Sequence, residues 1–288
     1  MRIGRVVTLS PMDRMAYWIE ERESIRAAKE SNEKPPWTDD KILHSFRFCN
    51  VRRMDDKVSQ WLLNNWYKPY FNHRNMLIAC ALARFINKPE SLQLITEQVF
   101  RDGVQWERIK RILREYRDAG NVVFNGAYMV RGNDGIDKIE CVVEYYVRPL
   151  SEHPNNWFTG ESMEYAWGCL YDCYGFGSFM AGQVVADLRH AKEGRWADKH
   201  VWAPMGPGSK RGMNRLHARP PNAPLGQLQF VEELMEMQSE LRTRLPAGIT
   251  NRLEAIDWQN CLCEYDKYSR ALFDEGKPKQ LYRPEMVS

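Results

Sequence analysis

Gly175-Phe-Gly-Ser178 stands directly before an apolar run, Phe179 to Leu188, and Asp198 follows twenty residues after Ser178. A second glycine-rich stretch, Gly206-Pro-Gly-Ser-Lys-Arg-Gly212, lies just beyond. A glycine turn that opens a helix presents consecutive backbone N–H groups, which can hold a phosphate without side chains. Gly175, Gly177, Ser178, Gly206, Gly208, Ser209, Lys210, Arg211 and Asn214 are therefore candidate phosphate contacts. Asp198, between the two turns, is a candidate carboxylate for acid–base work. One such turn is weak evidence, because glycine turns are common. Two turns with a carboxylate between them point more firmly to phosphate chemistry.

Two further clusters have reactive residue types. In Phe46-Arg-Phe-Cys-Asn-Val-Arg-Arg-Met-Asp-Asp-Lys-Val58, Arg52 and Arg53 could hold phosphate and Asn50 could orient a partner. Asp55 and Asp56 suit a helix start, so a capped helix with a solvated charged face accounts for the same pattern. In Asp257 to Tyr268 a helix would place Asn260, Glu264 and Lys267 on one face, with Asp257 one turn earlier. Trp258, Leu262, Tyr265 and Tyr268 flank that stripe, which suits a site wall; an i,i+3 ion pair between Glu264 and Lys267 fits it equally well. The six histidines form no H-x-x-x-H pattern and the seven cysteines no C-x-x-C pair, so no metal site held by His or Cys is expected.

These residues need a scaffold, and composition bounds it. The 288 residues, 43% hydrophobic and 27% charged, suffice for one large or two modest soluble domains. An odd cysteine count with no signal-type segment leads us to expect a reducing compartment, and no run is long enough for a membrane span. Net charge is only +3, yet residues 186–219 hold eight Lys/Arg against three acids. That local excess over both glycine stretches resembles a nucleic-acid footprint, although a solvated basic face would look alike. Apolar periodicity predicts helices from Asp13 to Glu30, across Val58–Trp66, Met76–Phe85, Ile109–Tyr116 and Ile139–Val147, then Met163–Tyr174, Phe179–Ala191, Gln227–Arg244 and Ala255–Leu272. Val122 to Val130 reads as a short extended piece. Residues 202–226, rich in Gly and Pro, read as an ordered functional loop, and Glu232, Glu233, Glu236 and Glu240 as the wet side of the helix after it. The chain is mainly α, with residues 1–36 an N-terminal extension, 37–283 the catalytic domain, with two helical lobes as one form of it, and 284–288 a tail.

Four blocks together are similar to the alpha-glutamyl/putrescinyl thymine pyrophosphorylase family: Phe46 to Val58, Tyr174-Gly-Phe-Gly-Ser-Phe-Met-Ala181, Gly206-Pro-Gly-Ser-Lys-Arg-Gly-Met-Asn214 and Cys263-Glu-Tyr-Asp-Lys-Tyr268. These bacteriophage amino acid:DNA transferases are related to the helical domain of phage 5-hydroxymethyluracil DNA kinases and to helix-hairpin-helix DNA glycosylases. The resemblance, running from about Trp37 to Arg283, implies a glycosylase-like helical architecture with little β structure. It implies double-stranded DNA carrying a modified thymine as one substrate and an amino acid or polyamine as the other. The amine would displace pyrophosphate at the 5-methylene carbon, downstream of a 5-hydroxymethyluracil DNA kinase, in the cytoplasm of the infected bacterial host. Asp198, Glu264, Asp266 and Lys267 are the catalytic candidates this implies, with Asn50, Asp187 and Asn260 orienting. No cofactor is demanded; Mg2+ could accompany pyrophosphate, helped by Asp187, Asp198 or Asp266. Phe179 fills the place where lysine-using glycosylases carry their amine, which argues against Schiff-base chemistry there. The chain has no G-x-x-x-x-G-K-[ST] loop, which favours the transferase over the kinase itself. A base-excision glycosylase and a non-catalytic DNA-binding partner of the kinase are the alternatives.

Overall fold

Ser10 accepts the Asp13 amide and Pro11 occupies the first turn, which starts α1 (Pro11–Glu30). In the computed structural model, residues 6–126, 135–152, 162–191, 194–278 and 280–282 are described. Asp40 caps α2 (Lys41–Ser45), and α3 (Lys57–Trp61) runs into a π-helical turn, Leu62–Tyr67. There follow α4 (Met76–Ile86), α5 (Pro89–Val99), α6 (Trp106–Asp118) and α7 (Lys138–Glu140), the last continuing into a second π-helical turn, Cys141–Val147. A helical pair, α8 (Met163–Tyr171) and α9 (Gly177–Leu188), precedes α10 (Pro207–Leu216), α11 (Gln227–Arg244), α12 (Ala247–Thr250) and α13 (Ala255–Leu272). The protein is mainly α. Among the described residues extended pairing is limited to an isolated bridge between Phe46 and Leu281. Residues 122–126 of the expected extended piece form no strand, and 127–130 lie outside the described residues.

The chain forms two compact units, the first made of Met1–Asp56 with His200–Ser288 and the second of Lys57–Lys199. In the first unit, Met15, Trp18 and Ile19 of α1 are buried with Phe230 and Leu234 of α11 and Trp258, Leu262 and Tyr265 of α13. The segment read as an N-terminal extension thus supplies core side chains. Two glycines account for α10, which lies within the stretch expected to be a loop. A Cβ on Gly208 would stand 2.3 Å from Cys263 Sγ, and one on Gly212 would stand 2.1 Å from the Leu262 carbonyl oxygen. Spaced one helical turn apart, they give α10 a flat face on which α13 lies backbone to backbone. That packing outweighs the poor helix propensity of glycine. Glu233, expected to be solvated, is instead buried against Arg219.

The second unit centres on α4, whose eleven residues are all buried. A charged pair is buried with it: the Arg84 guanidinium grips Asp187 of α9 with two N–H groups, and the Tyr67 hydroxyl donates to the same carboxylate at 2.5 Å. Burial and the Asp187 charge push the Tyr67 hydroxyl well above its usual range, so it stays a donor. Lys110 of α6 holds Glu140 and Glu144 at 3.0 and 2.9 Å, tying α6 to α7.

Candidate nucleic-acid site

The first glycine turn joins α8 to α9 as a helical hairpin. Its φ angles explain its composition: Gly175 sits at +87° and Gly177 at +55°, in the left-handed region that side chains avoid. Gly175 is doubly constrained, because a Cβ there would stand 2.2 Å from the Tyr146 ring. Gly175→Ala is expected to cost about 1–3 kcal/mol, from the positive φ and from displacing Tyr146, read as a fall in the denaturant midpoint. An unchanged midpoint would show that the turn relaxes freely. The helix bounds differ from the pattern: α8 ends at Tyr171, three residues early, and α9 starts two residues earlier than expected, at Gly177, and ends at Leu188.

Aromatic side chains surround the turn. Trp167 stacks on Tyr171 with centroids 5.1 Å apart, and its indole N–H donates to the Ser178 carbonyl at 3.1 Å. Tyr165, Tyr171, Tyr174 and Phe179 are exposed, so apolar area stays in water along one stretch of chain. Beside them is a cavity of about 290 Å³ whose walls include Tyr145, Tyr146, Cys169, Asp172, Cys173 and Tyr174. Tyr146 is fixed in that wall by Phe85 at 5.5 Å and by the close approach to Gly175. Burial and the neighbouring Cys169 push the Cys173 thiol up to about 11, so it is a protonated, weakly polar wall.

Sequence reasoning missed this cavity. Tyr146 read as part of one more apolar helix face, with Ile139, Val142, Val143 and Val147, when in fact the chain there widens into the π-helical turn Cys141–Val147. Adjacent tyrosines before Pro149 were the available signal.

Asp198 caps α8 from a distance. Its two carboxylate oxygens accept the backbone N–H groups of Met163 at 2.8 Å and Glu164 at 3.2 Å, while Ser162 accepts from Tyr165 at 3.0 Å. The side chain is thereby fixed beside the positive end of that helix. Asp187, expected to orient a substrate, is committed to Arg84 and Tyr67 inside the second unit.

In the first unit the polar stripe of α13 is a track for the backbone of the 46–56 segment. Asp257 accepts the Arg53 amide at 2.8 Å, Asn260 donates to the Asn50 carbonyl at 3.3 Å, and Glu264 accepts the Cys49 amide at 2.8 Å. Arg22 of α1 holds the same segment, donating to Cys49 O and Asn50 Oδ1, and the Asn50 amide donates to Asp55 O. Lys267 pairs with Glu264 at 2.9 Å and lies 4.7 Å above the Phe48 ring. The i,i+3 pair expected from spacing is present. Asp266 is fully enclosed and meets three guanidiniums, Arg211 and Arg215 at 2.9 Å and Arg270 at 3.4 Å.

The second glycine stretch is likewise structural in large part. Ser209 is buried, accepts the Gly206 amide at 2.9 Å and is held by Gln259 at 3.0 Å. Asn214 donates to Pro221 O and Ala223 O, closing the turn after α10. Lys210 and Arg211 remain half-exposed, as does Arg52, whose contact with Asp55 is 3.4 Å long. Of the basic residues singled out from the sequence in the first unit, Lys210 and Arg52 are open to an anion, while Arg211 already pairs with Asp266. Asp187 and Asp266, each saturated by arginine, do not suit a divalent cation, and no step is assigned to one. Among the described residues no helix is long and apolar enough to cross a membrane.

The sequence profile of the family described as "5-hmdU DNA kinase, helical domain" matches residues 10–278. A protein of Bacillus phage SP10 named "5-hmdU DNA kinase" is 28% identical over 207 residues, covering 62% of this chain and 31% of its own length. The chain therefore spans only about a third of that relative. No solved structure gives a match. Since the matching profile takes in α1 through α13 and so both units, the chain belongs to the 5-hmdU DNA kinase helical-domain family.

Proposed function

We propose that this protein takes part in phage thymine modification by acting on DNA that carries 5-hydroxymethyluracil or its pyrophosphorylated form. Within that role we infer an amino acid:DNA transferase. The observation that carries the reading is the family match over residues 10–278, to which the four motif blocks add the transferase resemblance. In the reaction the amine nitrogen attacks the 5-methylene carbon, the carbon–oxygen bond to pyrophosphate breaks, and the nitrogen gives up one proton. In the first unit, Lys210, Arg211 and Arg52 are half-exposed cations suited to a phosphate group of the DNA substrate. Asp198, more accessible than the enclosed Glu264 and Asp266, is the proton acceptor.

The test is incubation of the protein with pyrophosphorylated 5-hydroxymethyluracil DNA and a pool of amino acids and polyamines, followed by nucleoside mass spectrometry. A thymidine heavier by the amine residue, in an intact strand, is expected. Abasic, alkali-labile DNA would instead indicate a glycosylase. The relative's name favours one second reading, a DNA-binding module that serves a kinase. That reading is upheld if no mass-shifted nucleoside forms while the protein stimulates a separate 5-hydroxymethyluracil kinase on the same DNA.

A further inference from the structure

No residue lining the cavity beside the hairpin has been given a role above. We propose that it receives a single unstacked pyrimidine of the uracil type, stacked on its tyrosines and read at N3–H by Asp172. The inference rests on the proposed action on a thymine-type base in DNA and names the site where that base is held.

Four observations converge. The volume, about 290 Å³, has room for one base and lies at the small end of ligand sites. Three tyrosines supply flat faces, with Tyr174 edge-on to Tyr146 at 5.5 Å. Tyr174 is 62% exposed and Tyr145 44% exposed, so the faces that would stack a base are presented to the outside. The wall that carries Tyr145 and Tyr146 is a π-helical turn, an irregularity often found at functional sites. Chemistry on a base inside a duplex requires that base to leave the stack and be held between aromatic or apolar side chains.

The polar lining selects among bases. A uracil-type ring presents two carbonyl oxygens on either side of an N3–H. Asp172, the carboxylate among the lining residues, accepts that hydrogen, and tyrosine hydroxyls can donate to the flanking oxygens. Cytosine carries a lone pair at N3, which a carboxylate repels. The Cys173 thiol, held protonated by burial, adds no competing charge at neutral pH. The 5-substituent takes no part in this recognition, so thymine and 5-hydroxymethyluracil would enter alike.

The experiment uses the full chain and duplexes identical except for one central 5-hydroxymethyluracil, thymine or cytosine, with 2-aminopurine as the 3′ neighbour. Binding is followed by anisotropy and unstacking by 2-aminopurine fluorescence. The wild-type protein is expected to raise the fluorescence with 5-hydroxymethyluracil and thymine and not with cytosine. Tyr174→Ala should abolish the rise and weaken binding roughly tenfold, and Tyr174→Phe should restore it, because stacking needs the ring. Asp172→Asn should shrink the preference for 5-hydroxymethyluracil over cytosine by about tenfold, since an amide can donate to N3 of cytosine. Tyr145→Ala serves as a second truncation if Tyr174→Ala fails to fold. Binding with a full fluorescence rise in Tyr174→Ala or Tyr145→Ala, or an unchanged base preference in Asp172→Asn, would overturn the pocket and leave the DNA reading standing. Absence of binding to every duplex would overturn both.

Discussion

Asp266→Ala is expected to lower the stability of the first unit by about 3 kcal/mol, well before any question of catalysis arises. The carboxylate is 1% exposed and three arginines from two helices converge on it, Arg211 and Arg215 from α10 and Arg270 from its own α13. Removing one side of a buried ion pair leaves uncompensated charge, which typically costs ~3–5 kcal/mol. The lower end applies here because Arg215 keeps a second acceptor, Glu275, and because Arg211 and Arg270 can turn toward water. Denaturant unfolding at neutral pH measures it. A loss below ~0.5 kcal/mol would mean that the close packing at Gly208 and Gly212, not Asp266, holds α10 to α13. If Asp266 serves only this junction, transfer activity falls in step with the folded fraction and returns at lower temperature. A variant that is fully folded and inactive would put Asp266 back in the chemistry.

The same junction shows what the sequence could and could not reveal. The helices α11 and α13 were legible to the residue, because their apolar periodicity is unbroken and each ends in an evident stop. The helix α10 was not, because Gly208 and Gly212 read as loop residues and the cause of their helical state lies fifty or more positions away in Cys263 and Leu262. Pattern reasoning sees a glycine's local cost and cannot see the neighbour it admits. The polar stripe on α13 was placed on one face, as observed, yet its partners are backbone groups of the 46–56 segment and no spacing rule identifies those. Charged residues were the least legible. Asp187 and Asp266 look like any surface acid in the sequence, and only folding shows that each is walled in by arginine. The hairpin was the reverse case, since glycine at positive φ is a local requirement and its spelling survives in the sequence.

Asp198 is the carboxylate for which capping and catalysis can be separated. Asp198→Asn is expected to change stability by less than about 1 kcal/mol and to reduce transfer by roughly 100-fold or more. The asymmetry follows from the two bonds it accepts. An asparagine carbonyl oxygen can keep the 2.8 Å bond from the Met163 amide, so only the longer one from Glu164 is lost, and Ser162 still caps the helix start. Loss of one capping bond is worth ~0.5–2 kcal/mol, and asparagine is itself a good cap. Loss of a proton acceptor is worth ~10²–10⁴-fold in rate. Asp198→Ala is the complementary control, since it removes both functions and should be destabilised where Asp198→Asn is not. Single-turnover transfer assays alongside denaturant unfolding of both variants distinguish the possibilities. Should Asp198→Asn turn over within threefold of wild type, Asp198 is a cap alone and the ammonium proton leaves by another route. If stability and rate decline together in both variants, the carboxylate acts by holding α8, and with it the hairpin turn, in place. Only a folded, capped and inactive Asp198→Asn assigns the proton to this residue.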